Sequence, residues 1–480
     1  MIPSAMVRQM FVGREKELSD LNRLYLTDKF QFSVIYGRRR VGKTALINEF
    51  VRDKETIFFT GLETNCRQNL ENFSRAVFGY AAGPAPVFRN FHEALEYVFV
   101  LSEKKRLVLV IDEYPYAARS CKGLASVLQT LIDKYKGTSN LFLILCGSSM
   151  SFMEDQVLGY KSPLYGRRTS QFRIRPFDFF ESRLCLGNFS DMDAAIVYGI
   201  AGGTPQYLLQ MNGRLSVEEN IKNTFLNTSS YLFEEPGNLL KQEVREPAVY
   251  NAVISAVADG STKVSEISDK VGEGSSVCSA YLKNLTDLGI LRKETPIAER
   301  TQKKTVYSIA DNMFRFWYRF VPPNYSLIQH GMADAAYRNI SEQLPAFMGP
   351  VFEDICKQYL WLLNRSGDLP IMFTEMGRWW GSDPETKSEA EIDILATDSR
   401  GSAIFCECKW TNGDVDAAAL EKLVKRSGLL SFEKKYFYLF AKNGFTAGCS
   451  ERSEEIGNVK LVAYKDMLSY ADRTLGMHHL

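Results

Sequence analysis

The run Gly37-Arg38-Arg39-Arg40-Val41-Gly42-Lys43-Thr44 carries the most specific chemistry in the chain. Glycines at its start and before its lysine let the backbone curl until several N–H groups converge on phosphate oxygens. Lys43 reaches toward β- and γ-phosphates, and the Thr44 hydroxyl is a ligand for Mg²⁺. Such a loop works only between a strand and a helix N-terminus, whose dipole favours the anion. Both are expected here, a strand over 32–36 and a helix over 44–52. A solvated basic turn is the plainer alternative, which motif and context together disfavour. All eight residues are therefore candidate ATP contacts, with Mg²⁺ as the accompanying ion.

A second apolar strand, 107–111, ends in Asp112-Glu113. Carboxylates at the carboxyl edge of such a strand lie where open α/β sheets bind ligands. Asp112 is placed to hold Mg²⁺ with Thr44, and Glu113 to orient and polarise the attacking water. The strand 141–146 ends in Gly147-Ser148-Ser149, either a simple turn or a polar sensor of the γ-phosphate. Residues 161–176 hold Lys161, Arg167, Arg168, Arg173 and Arg175 and no acid. Arg167 or Arg168 fits an arginine finger, in cis or from a neighbour; a basic loop is the alternative.

A different chemistry lies near the C-terminus. Over 391–395, alternation puts Glu391 and Asp393 on one strand face. The hairpin partner 403–410 puts Glu407 and Lys409 on one face and Cys406 and Cys408 on the other. Glu353, in a helical pattern upstream, can join them. Glu353, Asp393 and Glu407 are hard-oxygen candidates for Mg²⁺ or Mn²⁺, and Lys409 can steady or deprotonate a water attacking a phosphodiester. The alternative is a charged hairpin face in which Glu407 and Lys409 simply pair.

The elements that must position these groups follow from periodicity. Over 30–180, strands (32–36, 56–60, 107–111, 141–146, 172–175) alternate with helices (44–52, 65–78, 90–103, 122–135), predicting a parallel, doubly wound α/β sheet. Residues 180–240 are helical throughout. In 245–310, helices precede two strands around a basic turn, the pattern of a winged helix. Its recognition helix is expected over 275–288, with Val277, Tyr281, Leu282, Leu285 and Leu288 inward. Arg292, Lys293, Arg300, Lys303 and Lys304 would meet phosphates, although Lys283 is the one basic reader on the helix and Asp287 opposes it; an interdomain lever is the equal alternative to DNA contact. Phe314, Phe316, Trp317, Tyr318 and Phe320 mark an aromatic connection. The expected organisation is a nucleotide-binding core (1–180), a helical lid (181–243), a winged helix (244–310), a helical linker (311–345) and a C-terminal α/β domain (346–480).

These segments resemble the archaeal-type ATPases of the signal-transducing branch of P-loop ATPases, close to AAA+ proteins. Phe11-Val12-Gly13-Arg14-Glu15-Lys16-Glu17-Leu18 is similar to that family's N-terminal box, implied to lie against adenine. Segments 36–44, 111–114, 165–168 and 175–177 resemble successive family elements. Gly202-Gly203-Thr204-Pro205-Gln206-Tyr207-Leu208 resembles the GxP element of the lid, implied to sense nucleotide. The C-terminal arrangement resembles the PD-(D/E)xK nuclease core of the restriction-endonuclease-like fold. Asp393 stands as its D, Glu407-Cys408-Lys409 as its ExK and Glu353 as its helical acid; Ile392 replaces the proline.

Composition bounds the rest. The 480 residues are 45% hydrophobic and 24% charged, which excludes a mainly disordered, fibrous or membrane-embedded chain. With 58 basic and 57 acidic residues, any nucleic-acid contact must be local. The nine cysteines are scattered and no signal core precedes them, so reduced thiols and a cytoplasmic location are expected. His478 and His479 are expected in a terminal tail. The reading is an Mg²⁺-dependent ATPase coupled to a nuclease-like domain acting on DNA or RNA. Its alternatives are an ATP switch or DNA-binding scaffold with an inactive nuclease-like domain, and a homo-oligomeric ring motor.

Overall fold

The computed structural model describes residues 11–81, 88–298, 304–385 and 387–476. Arg300, Lys303, His478 and His479 lie outside them. The chain divides into two compact units: residues up to Pro176 with Thr204–Gln206, and Phe177–Gly203 with Tyr207 onward. No described helix is long and apolar enough to cross a membrane.

The first unit is built on β1 (Gln31–Tyr36), β2 (Thr56–Thr60), β3 (Leu107–Asp112), β4 (Leu141–Gly147) and β5 (Ser170–Arg173), in the order β2-β3-β4-β1-β5. All four pairings are parallel. Every residue of β1, β3 and β4 is buried, the outcome expected of apolar strands covered by helices on both faces. Val34, Leu109 and Leu143 are inaccessible to solvent, each such burial contributing about 1.5–3 kcal/mol. The edge strand β5 begins two residues earlier than expected, because Ser170 pairs with Ser33. Four helices lie close to their expected bounds: Lys43–Val51, Cys66–Ala81, Phe91–Lys104 and Leu124–Tyr135. A helix over Tyr114–Ser120 was not expected; it is too short to show a period. One expectation fails outright: Cys66 and Cys121 form a disulfide. Separated by 55 positions in sequence, they stand at the start of the helix after β2 and just past the helix after β3, two strands that pair in parallel.

The second unit opens with a short helix, Phe179–Arg183, and continues through helices that include Asp191–Ala201, Val217–Thr224 and Glu235–Glu243. Ser190 caps Asp191–Ala201 and Ser216 caps Val217–Thr224, each by accepting a backbone N–H group. Helices Pro247–Ala258, Val264–Val271 and Ser275–Asp287 follow, then the antiparallel pair β6 (Leu291–Glu294) and β7 (Val306–Ile309). The aromatic connection is a helix, Asn312–Phe320, whose Phe314, Phe316 and Phe320 are buried. A 23-residue helix, Leu344–Ser366, leads into β8 (Glu375–Asp383), β9 (Ser388–Thr397), β10 (Ser402–Lys409), β11 (Lys434–Ala441) and β12 (Val459–Ala463). Their order is β12-β11-β10-β9-β8, antiparallel across β8-β9-β10 and parallel across β10-β11-β12.

Candidate functional site

Strand order brings three loop ends together in the first unit. β4 lies between β1 and β3, so the loop leaving β1, Ser148 after β4 and Asp112-Glu113 at the end of β3 share one edge of the sheet. The glycines of 37–44 answer to backbone geometry. A Cβ on Gly37 would stand 2.2 Å from the Ile174 carbonyl oxygen. Gly42 has φ 90° and forms the N-cap of the Lys43–Val51 helix. Arg40, at φ 73°, adopts the left-handed conformation without being glycine, a strain of about 1–3 kcal/mol that the surrounding loop must hold.

Inside the loop, the buried Lys43 ammonium donates to the Gly37 carbonyl at 2.9 Å and the Arg38 carbonyl at 3.0 Å. Thr44 Oγ1 donates to Asp112 Oδ2 at 2.9 Å, and Asp112 Oδ1 accepts from the Glu113 amide at 3.0 Å. Ser148 Oγ reaches both Glu113 oxygens, at 2.9 and 3.0 Å. Thr44 and Asp112 thus offer two hard oxygens side by side, a donor set that suits Mg²⁺ completed by phosphate and water.

Spacing alone could not assign several supports of this loop. The buried Arg14 guanidinium donates to the Arg175 carbonyl and, at 3.3 Å, to the Val41 carbonyl. Arg14 therefore ties the N-terminal box to the phosphate loop and to the segment after β5. Arg38 Nη2 donates to Thr204 Oγ1 at 3.0 Å, and Arg39 Nη2 to Tyr116 Oη at 2.9 Å. Arg167 is engaged elsewhere: its Nη2 lies 2.6 Å from Asp133, its Nε 3.1 Å, and its Nη1 donates to the Pro163 and Tyr165 carbonyls.

The second unit gathers the other candidates. Asp393 and Ile394 on β9 oppose the single Arg378 on β8, a bulge that interrupts strand alternation. Consequently Ile392 and Leu395 enter one core cluster and Ile394 the other. Asp393 Oδ2 accepts from the Cys408 amide at 2.8 Å. Burial raises its pKa to about 7, with help from the charges of Glu407 and Glu353. Glu353, on the Leu344–Ser366 helix, is likewise raised by burial. Glu407 is nearly inaccessible and carries two cations, Lys409 Nζ at 2.6 Å and Arg426 Nη1 at 3.5 Å. Among the described residues no three or more His, Cys, Asp or Glu side chains are gathered to hold a metal ion. The expected ligand set Glu353, Asp393 and Glu407 does not fit one in this conformation, because Glu407 already has its countercharges.

Arg292, expected on phosphate, is instead folded inward. Its Nη1 donates to Asp354 Oδ1 at 2.7 Å and its Nε to Ser308 at 3.0 Å, with Glu294 3.4 Å away. Arg315 and Lys357 also reach Asp354, at 3.5 and 3.4 Å. Burial opposes the Asp354 charge, yet Arg292, Lys357 and Arg315 outweigh it and hold the carboxyl well below the usual range. Beyond β6, the Ile297 amide donates to the Arg378 carbonyl at 2.9 Å. Arg378 in turn pairs with Glu391 and, at 3.9 Å, with Glu294. The start of the expected wing is therefore fastened to β8. Lys293 and Lys283 remain exposed.

Comparison with known proteins adds family context. Residues 11–211 match a family described as an ATPase domain predominantly from Archaea, and residues 317–423 one described as archaeal and bacterial proteins of unknown function. An uncharacterized protein of Methanocaldococcus jannaschii is 33% identical over 439 residues, covering 90% of this chain and 96% of that protein. Among solved structures, a Walker-type ATPase of Pyrococcus abyssi is 19% identical with TM-score 0.48, over 65% of this chain and 97% of that one. The ORC2 protein of Aeropyrum pernix is 14% identical with TM-score 0.46, over 69% of this chain and 98% of that one.

Proposed function

The chain belongs to the family of ATPase-domain proteins found predominantly in Archaea, and from that membership we propose an ATP-driven switch whose second unit responds to nucleotide. The observation that carries the ATP site is the continuous set Lys43, Thr44–Asp112 and Glu113–Ser148 along one sheet edge. On binding, Lys43 exchanges its own loop carbonyls for the β- and γ-phosphate oxygens, and the loop amides take the remaining charge. Thr44 and Asp112 hold Mg²⁺, which when bound supplies neutralising charge to the phosphate oxygens. Glu113 orients the attacking water, and Ser148 fixes its carboxylate for that task. ATP binding and phosphate release by wild type, Lys43→Ala and Glu113→Gln test this. Lys43→Ala should lose binding, and Glu113→Gln should bind ATP without turning it over. Equal affinity of wild type and Lys43→Ala overturns the assignment.

Arg167 serves as a finger only after leaving Asp133. Asp133→Ala should then raise hydrolysis and Arg167→Ala lower it; no change in either leaves Arg168 as the candidate. Coupling runs through Thr204–Gln206, which belong with the first unit while their neighbours Gly203 and Tyr207 belong to the second. The Arg38–Thr204 hydrogen bond makes loop occupancy a pull on that covalent crossing.

For the C-terminal domain the favoured reading is a restriction-endonuclease-like scaffold acting without cleavage, because Lys409 and Arg426 neutralise Glu407. The helices and hairpin over 247–309 act as a winged-helix lever more than a phosphate reader, since Arg292 is committed to Asp354. DNA or RNA remains the expected partner of this domain, through the exposed Lys283 and Lys293. Incubating wild type, Asp393→Ala and Lys409→Ala with nucleic acid and Mg²⁺ or Mn²⁺, with and without ATP, decides between readings. Cleavage by wild type that both substitutions abolish would restore the nuclease. ATP-dependent assembly in sedimentation would instead favour the ring motor.

A further inference from the structure

Beside the Cys66–Cys121 disulfide, the first unit opens a cleft of about 580 Å³. Both half-cystines line it, together with Arg67, Arg89, His92 and Lys122. No lining residue is acidic and none comes from the phosphate loop. Three helices of 16, 14 and 12 residues begin at this cleft, at Cys66, Phe91 and Leu124, adding positive N-terminal dipoles to the side-chain charges. Arg67 shares its charge with Glu71 at 3.2 Å, His92 stands 3.8 Å from Glu96, and Glu93, in the first turn of the 14-residue helix, accepts the Arg89 amide at 3.1 Å; none of these acids lines the cleft. A sulfur–sulfur bond in the wall of a cationic cleft is placed for attack by a small anionic thiol.

We propose that this cleft is a docking and exchange site for an anionic low-molecular-weight thiol, which opens the Cys66–Cys121 disulfide. The incoming thiolate attacks Cys66 Sγ, forming a mixed disulfide and releasing the Cys121 thiolate, which takes a proton from water. A second thiolate attacks the outer sulfur of that mixed disulfide and expels the Cys66 thiolate. The two electrons come from two external thiols, which leave as one disulfide. The other seven of the nine cysteines form no disulfide and take no part.

The site bears on hydrolysis through a short path. Cys121 follows the Tyr114–Ser120 helix, whose N-cap is Glu113. With the disulfide closed, that helix is fastened at its far end to the start of the Cys66–Ala81 helix, beside the hydrogen bond from buried Asn69 to Ser120 at 3.0 Å. Opening the bond leaves Asn69 as the described tether between those two points, so Glu113 is held less firmly and turnover falls severalfold. This coupling rests on Glu113 as the water-orienting residue; the thiol exchange does not.

The test uses the full-length oxidised chain. Disulfide opening is followed by thiol trapping and mass measurement, with glutathione as the anionic probe and 2-mercaptoethanol as the neutral one at equal thiolate concentration. Glutathione should be faster by on the order of tenfold at low salt, since a one-sign cleft concentrates counter-ions by at least that factor. The advantage should vanish near 1 M salt, where the screening length is about 3 Å. It should vanish at any salt in Arg89→Glu combined with Lys122→Glu, two surface changes that leave the fold intact. Oxidised glutathione should give an adduct on Cys66 in Cys121→Ser. Equal rates for both thiols, or resistance to both, overturn the docking site. Unchanged phosphate release after opening overturns only the link to Glu113, and loss of turnover in Glu113→Gln checks that premise separately.

Discussion

The phosphate loop and the C-terminal carboxylates are both charged clusters at strand ends, but their charges are satisfied in opposite ways. Around 37–44 the lysine donates to its own backbone carbonyls, neutral partners that a phosphate can displace. Around Glu407 the countercharges are already built in, Lys409 and Arg426 on a carboxylate almost shut off from water. The first arrangement awaits an external anion. The second is closed on itself around Glu407, while burial leaves Asp393 and Glu353 holding their protons more tightly than a free carboxyl does. A cluster reads as a binding site when its internal partners are weaker than the ligand's.

Four measurements test that contrast. The largest effect is expected at Asp354, beside the carboxylate cluster. Asp354→Asn strands Arg292 and Arg315 in the interior and should cost about 3–5 kcal/mol in denaturant unfolding. Because the folded Asp354 pKa is lowered, its contribution is present above the unfolded value of about 3.9 and disappears as pH falls below it. If the variant unfolds at the wild-type midpoint, Asp354 is not the countercharge on which Arg292 and Arg315 depend. Next comes Lys43→Ala, expected to lower phosphate release by on the order of 10²–10³-fold, the loss seen when one preorganised donor is removed. Stability should barely change if Lys43 serves a ligand as proposed; a large unfolding shift would erase the contrast.

Asp393 gives a signed pH test. Its pKa is raised, so the folded state holds a proton that the unfolded chain sheds near 3.9. The stability it adds therefore falls as pH rises from about 4 to about 7. Asp393→Asn should flatten that slope between about pH 4 and about pH 7 in urea titrations, and Glu407→Gln should reduce it. An unaltered slope in Asp393→Asn would mean that Asp393 is not the titrating group. The smallest effect belongs to the loop support: Thr204→Val removes one acceptor from Arg38, costing about 1–3 kcal/mol of ATP affinity by calorimetry. No loss would cut the link between loop and crossing segment.

Legibility in the sequence followed the range of each interaction. The phosphate loop, the acid pair after β3 and the strand–helix alternation are local patterns, and the strands and helices of the first unit lie close to where periodicity put them. The β9–β10 hairpin was equally visible. What escaped were pairings over long separations: Arg14 with the Arg175 carbonyl, Cys66 with Cys121, Arg426 with Glu407 and Arg292 with Asp354. Nothing in the spacing of those residues announces a partner. The bulge at Asp393 escaped for a related reason, since alternation assumes a regular ladder and the extra residue is set by pairing with β8.

Sequence by itself determined that a phosphate loop exists, that carboxylates stand at the end of a buried strand and that acids and a lysine cluster near the C-terminus. Those facts need only residue type and the fixed periods of helix and strand. Tertiary structure alone decided how each of these charges is partnered. A side chain's availability depends on whether another, brought close by the fold, has already neutralised it. In the first unit that left Lys43 on displaceable carbonyls. In the second it gave Glu407 its own cations and turned Arg292 from an expected phosphate contact into the partner of a buried aspartate.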